Sequence, residues 1–238
     1  MTPLPRLVHA RELLDEPVHD PAELEDSLDD VAAVNRWLGG TRALLRHLAP
    51  LLPAGRRTEI LDAGTGSGDL PRAIVRWARR HGRDLRITAT DIHPQTLEIA
   101  RRRSTGFPEI TFERADVLAL PYPDRSFDIA LLSLTLHHME GAAAVTALRE
   151  LGRVARRAVL VGELLRSRPA YLGARILAAT VWRGNRLTRH DGPISVLRAF
   201  TPDELLDLAR RAGLPNPRVH RHPLFRLVLV AAVDADTL

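Results

Sequence analysis

Three glycines in five residues, Gly64-Thr65-Gly66-Ser67-Gly68, follow the apolar stretch TEILDA and lead directly into DLPRAIVRWARRHG, whose apolar residues recur at helical spacing. A strand, a glycine turn and a helix in immediate succession leave few folds open. Glycines let the backbone turn tightly and let a ligand lie against bare main chain, while the helix amino end presents free N–H groups. The alternation then continues. LRITATD reads as a strand and PQTLEIARRRS as a helix; EITFERAD and FDIALLSL read as strands, GAAAVTALRELGRVA as a helix and RAVLVGEL as a fifth strand. Repeated strand-helix units predict an α/β, doubly wound protein with a parallel sheet covered on both faces.

The flanks carry different patterns. Residues 31–52 (VAAVNRWLGGTRALLRHLAPLL) predict two short helices broken at Gly39 and Gly40, a lid or brace that ends near residue 56 and precedes a core domain over 57–238. Within the core, residues 164–200 read as a cap insertion. Its segment YLGARILAATVW, 171–182, is strongly apolar but well short of the roughly 20 residues that span a bilayer, so it predicts a buried or cap helix. GNRLTRHDGP, which follows, reads as a loop. Thr201-Pro202-Asp203-Glu204 has the form of a capped helix start, and PRVHRHP and LFRLVLVAAV predict two strands paired antiparallel at one sheet edge.

Composition narrows the chemistry. The 238 residues include no cysteine, which excludes disulfides, Cys-ligated zinc, iron-sulfur clusters and a thiol nucleophile. MTPLPRLVHARELLDEP lacks the apolar core of a secretory signal, so a soluble, cytoplasmic protein is expected. All 34 basic residues are Arg, and aromatics make up 4% of the chain, too few to interleave a phosphate-binding surface with stacking rings. Composition therefore argues against a nucleic-acid partner despite the net charge of +5.

Dinucleotide-binding proteins use a glycine loop spaced G-x-G-x-x-G, but here the third glycine position falls on Asp69, and the observed pattern is G-x-G-x-G preceded by Asp62. LDAGTGSG resembles the first motif of the class I S-adenosylmethionine (SAM) dependent methyltransferases. The resemblance extends over about 60–163. It includes Asp91 and Ile92 in ATDIHP, Asp116-Val117 after the third strand, and LPYPDRSFDIALLSLTLHHM. It implies a seven-stranded Rossmann-like sheet, six strands parallel and the last antiparallel, with SAM as cofactor. It also implies cofactor contacts at Asp62, Gly64, Thr65, Gly66, Gly68 and Ser133. Asp91 would hold the ribose, Ile92 would touch the adenine, and Asp116 with Val117 would meet the adenine edge. A carboxylate suits a vicinal diol because it accepts two hydrogen bonds.

The ubiquinone and menaquinone biosynthesis methyltransferases and their natural-product relatives are similar in overall pattern. That resemblance implies methylation of a small phenolic, quinone-like or polyketide acceptor, on oxygen first, with carbon and nitrogen open. Candidate bases are His137 and His138, which follow the fourth strand where a parallel sheet places its ligands, and His190 beside Asp191. Each has a plainer reading: cofactor positioning or packing for the pair, loop surface for His190. The apolar cap with Arg166, Arg168, Arg175, Arg183, Arg186 and Arg189 suits an apolar, anionic or phenolic molecule, and equally a membrane surface. No helix carries His-x-x-x-His, so no metal is expected. Two rivals stay open: an NAD(P)-dependent oxidoreductase, and a non-catalytic SAM-binding module acting through a protein partner.

Overall fold

The computed structural model describes residues 4–233 and contains one seven-stranded sheet. Its strands are β1 (Thr58–Ala63), β2 (Leu85–Asp91), β3 (Ile110–Arg114), β4 (Phe127–Ser133), β5 (Ala155–Leu164), β6 (Arg218–His222) and β7 (Arg226–Ala232), in the order β3-β2-β1-β4-β5-β7-β6. β7 runs antiparallel between β5 and β6, and all other pairings are parallel. The alternation predicts the parallel α/β part of this Rossmann-like sheet, and the resemblance predicts its seven strands with the last one antiparallel. Strand order reverses between β1 and β4, and at such a switch point the carboxyl ends of neighbouring strands diverge and open a crevice.

The helices are α1 (Pro21–Trp37), α2 (Gly40–Leu48), α3 (Asp69–Arg80), α4 (Pro94–Arg103), α5 (Gly141–Val154), α6 (Arg168–Ala179), α7 (Arg186–Arg198) and α8 (Pro202–Arg211). Successive β1 residues serve opposite faces, as period-two alternation requires. Ile60 joins Leu44 and Ile74 of α2 and α3, whereas Leu61 joins Leu148 and Leu205 of α5 and α8. None of the described helices is long and apolar enough to cross a membrane.

Three sequence expectations need correction. α1 starts at Pro21 rather than near residue 31, because Asp20 caps it through the N–H groups of Ala22 and Glu23, both at 3.0 Å. The predicted loop GNRLTRHDGP lies largely within α7, which runs through Gly192 and Pro193. Asn185 caps it at Thr188 N, 3.0 Å, and Gly192 packs so tightly on the Trp182 ring that a Cβ there would stand 2.4 Å from it. Tertiary packing overrides a local turn signal. Finally, the helix of the apolar segment 171–182 runs instead from Arg168 to Ala179 and takes the cap alternative: Ala170, Ala174 and Ala178 are buried, while Leu172 and Ile176 are exposed.

The helix start at Thr201 forms as expected. Thr201 Oγ1 accepts from Glu204 N at 3.3 Å, and Glu204 Oε2 accepts from Thr201 N at 2.7 Å. Thr201→Ala is expected to cost about 1 kcal/mol, read as a lower urea midpoint with an unchanged slope.

Candidate active site

β1 delivers the chain into the glycine turn, where Gly64, Gly66 and Gly68 take φ of +65°, +55° and +73°. The left-handed region is costly for other residues. At Gly64 the space is closed as well, since a Cβ would stand 2.5 Å from Thr135 Oγ1 in the segment after β4. At Gly66 nothing lies within 4 Å of that point, so bare main chain faces the cavity. Asp91, the last residue of β2, braces this turn: Oδ2 accepts from Gly66 N and Oδ1 from His93 N, each at 3.0 Å. Burial raises its pKa above the usual carboxylate value.

Beside it Asp62 is buried, and neither of its carboxylate oxygens has a hydrogen-bond partner; Thr65 Oγ1 is likewise free. Burial pushes Asp62 up to about 7. A buried acid without a partner is costly, and its natural complement is a cationic donor. Asp62, Thr65 and Asp91 all line one cavity of about 710 Å³. Ile92, Asp116, Val117 and Ser133 line it too, with Asp116 Oδ1 accepting from Leu118 N at 2.9 Å. Gly68 does not; it caps α3 and packs near Phe112 and Arg72.

The same cavity reaches a second group of polar side chains. β4 ends in a kink at Leu134, φ +52°, and a short 3-10 turn, Leu136–His138, then presents two adjacent histidines with ring centroids 4.4 Å apart and planes tilted by 34°. His137 is buried and its Nδ1–H donates to Glu163 Oε2 on β5 at 2.9 Å, while its backbone N–H donates to Glu163 Oε1 at 3.2 Å. Burial alone would raise Glu163, but His137 holds it below the usual glutamate value, so the carboxylate is ionised and orients the ring with Nδ1–H toward it and the Nε2 edge turned away.

His138 Nδ1–H donates to Asp15 Oδ1 at 2.7 Å. Burial opposes charge on this ring, yet Glu12 and Asp15 outweigh it and raise His138 to about 9. Glu12 Oε1 stands 3.8 Å from His137 Nε2 and Glu12 Oε2 stands 3.8 Å from His138 Nε2. Their ligand atoms lie within 4.8 Å of one another, close enough to suggest a cation site. The Ser195 hydroxyl, 2.6 Å from Glu12 Oε2, donates to that carboxylate instead, and the guanidinium of Arg198 stands 3.6 Å from Oε1 as the nearby positive charge. A charged hydrogen-bonding cluster is the better description.

His190 is not in the cavity wall, although its neighbours Asp191 and Gly192 are. Its Nδ1 donates to Asp191 Oδ1 at 2.7 Å, and Asp191 in turn accepts from the N–H groups of Leu13 and Leu14 at 2.8 and 2.9 Å. Four groups at this site escaped the sequence reading: Glu12, Asp15, Glu163 and Arg198. Glu163 alone carried a signal, as an acid near the carboxyl end of β5 after the apolar run AVLVG.

Comparison with known proteins follows the geometry. A family model described as "Methyltransferase domain" matches residues 60–158. The chain is 36% identical over 126 residues to the malonyl-[acyl-carrier protein] O-methyltransferase of Halorhodospira halophila, covering 53% of this chain and 39% of that protein. It is 32% identical over 139 residues to the ubiquinone/menaquinone biosynthesis C-methyltransferase UbiE of Chromobacterium violaceum, covering 57% and 52%. Both alignments thus span about half or less of the relative's length. A SAM-dependent methyltransferase from Aquifex aeolicus shares the fold with a TM-score of 0.64 at 19% identity, over 91% of this chain and 100% of that one. Residues 60–158 thus match a methyltransferase-domain family, and over about half of its length the chain is similar to the ubiquinone/menaquinone biosynthesis methyltransferases.

Proposed function

We propose that this chain moves a methyl group from SAM to a hydroxyl of a small, largely apolar acceptor of phenolic, quinone-like or polyketide type. The observation that carries the reading is one cavity with a cofactor cradle and a histidine-carboxylate cluster both in its wall. The residues present fit the cofactor. Asp62 offers an unpaired buried carboxylate to an ammonium, Asp91 offers acceptor capacity to a diol, and Gly66 offers open main chain. When bound, SAM supplies an electrophilic methyl on a sulfonium. The protein's share is to hold the acceptor oxygen in line, exclude water and take up its proton.

His137 Nε2 is the proposed proton acceptor, oriented by Glu163, and His138 is the proposed cation that favours the anionic form of the acceptor. His190 is proposed to act at one remove, through Asp191. The helical segment through residue 56 serves as a lid and 164–200 as a cap. Leu28 of α1 and Leu177 of α6 both line the cavity and give it apolar walls. Acyl-carrier and quinone acceptors in the names of the related proteins agree with an apolar, oxygen-bearing substrate.

The test is calorimetry with SAM, its demethylated product and NAD(H), followed by single-turnover transfer to a panel of phenols and enols. Tight NAD(H) binding without SAM binding overturns the reading, and SAM binding without any transfer points to a non-catalytic module. The pH dependence of binding has a definite sign. At pH 6 the Asp62 carboxyl of the free protein is mostly protonated, given its value of about 7, and a cationic ammonium requires it ionised. SAM affinity is therefore expected to rise from pH 6 to 8, with proton release at the acid end visible as a buffer-dependent binding enthalpy. Asp62→Asn should flatten the curve at the weaker limit.

A further inference from the structure

Residues 4–15, ahead of α1, cross the cap as a strap with many fixed points. Leu7 N donates to Leu197 O at 3.0 Å, Arg166 Nε to Leu4 O at 2.8 Å and Arg6 Nε to Arg198 O at 2.7 Å; Arg198 also reaches Ala10 O. Asp191 then grips the backbone at Leu13 and Leu14. Between these anchors one side chain turns inward. Glu12 is 3% exposed, lines the cavity, and keeps Oε1 without a hydrogen-bond partner, although that oxygen faces His137 Nε2.

Two imidazoles this close cannot both carry an added proton cheaply, because each disfavours charge on the other. Glu163 on β5 serves His137 and Asp15 on the strap serves His138, while Arg198 on α7 adds positive charge facing both Glu12 and Asp15. Among the described residues, Glu12 is the one acid that meets both Nε2 atoms, the edges that the Nδ1 bonds leave available. We infer that Glu12 is a positioning residue of the transfer site, a carboxylate shared between the Nε2 edges of His137 and His138 that sets the charge on the pair, and that the site is complete only with the strap in place. This rests on the methyl-transfer reading for its purpose. Its electrostatic content does not.

That separation sets the experiment. Nitrogen-15 NMR titration of the histidines in the full-length protein, free of cofactor and acceptor, reads the His138 midpoint directly, with His138→Gln giving the assignment. Glu12→Gln is expected to lower the midpoint by about one unit, the effect of losing an opposite charge near the ring, while Glu12→Asp restores most of it. In turnover assays with EDTA present, the alkaline limb of kcat/KM should move down with the midpoint in Glu12→Gln, with the dissociation constant of SAM unchanged. A folded Glu12→Gln protein whose His138 midpoint stays in place overturns the inference, as does a rate loss uniform across pH. Should Glu12→Gln fail to fold, the Glu12→Asp protein must still show a smaller shift of the same sign. Failure to transfer methyl to any acceptor tests the proposed function instead and leaves the titration result standing.

Discussion

Asp91→Ala is expected to weaken SAM binding about 100-fold, the equivalent of roughly 2.7 kcal/mol and the worth of one or two charge-assisted hydrogen bonds. Two losses combine. The carboxylate gives up its proposed bonds to the ribose, and it also stops bracing Gly66 N and His93 N, which it now holds at 3.0 Å each. Asn does not repair the site, because its NH₂ would face one of those two backbone donors. Asp91→Asn should therefore bind almost as poorly as Asp91→Ala. Calorimetry at pH 8, where Asp62 is ionised, gives the comparison without interference from that group. Affinity within threefold of the parent in both variants would remove Asp91 from the cofactor site.

The residues that make this prediction possible were legible because they are local. A strand, three glycines and a helix specify the turn through backbone conformation alone, and the next strand must then end beside it, since β2 pairs with β1 in parallel from Thr58↔Leu85 to Ala63↔Thr90. Asp91 follows from that register by one residue. The crevice at the β1/β4 reversal follows from the same arithmetic of parallel units, whereas the antiparallel β7 follows from its short connection to β6 and is what the family resemblance implies.

What stayed hidden depends on long-range placement. Glu12 meets His137 across 125 positions of sequence, and no periodicity in an irregular strap announces that contact. Arg198 closes α7 and turns inward to donate to His137 O at 3.1 Å and His138 O at 2.7 Å, but in the sequence it is one arginine among 34 basic residues. α7 itself was obscured by His190-Asp191-Gly192-Pro193, a turn-like string that forms helix because Gly192 is the residue that fits beneath Trp182. Such contacts are decided by packing between the cap, the strap and the sheet, and by nothing in the local string.

His137→Ala is expected to lower kcat by 10²- to 10⁴-fold, the usual worth of a positioned proton acceptor, while SAM affinity changes less than threefold. The argument turns on Glu163. Its carboxylate is fully buried and accepts from both the ring Nδ1–H and the backbone N–H of His137, so the ring has one orientation and one tautomer. Glu163→Gln keeps the shape but removes the charge, and its amide can offer either an acceptor or a donor to Nδ1. A mixture of tautomers then follows, and kcat should fall by about 10- to 100-fold without the alanine variant's full loss. His138→Ala should act differently, losing most at the acidic end of the acceptor's own titration, where stabilisation of the anion matters most. His190→Ala should cost only a few-fold, since its ring reaches the site through Asp191 and the strap. Single-turnover rates for the four variants, measured from pH 6 to 10 with saturating SAM, separate these roles. Equal rates in His137→Ala and the parent would mean that the acceptor gives up its proton elsewhere, and the buried His137-Glu163 pair would then be left as a structural fixture beneath the cavity.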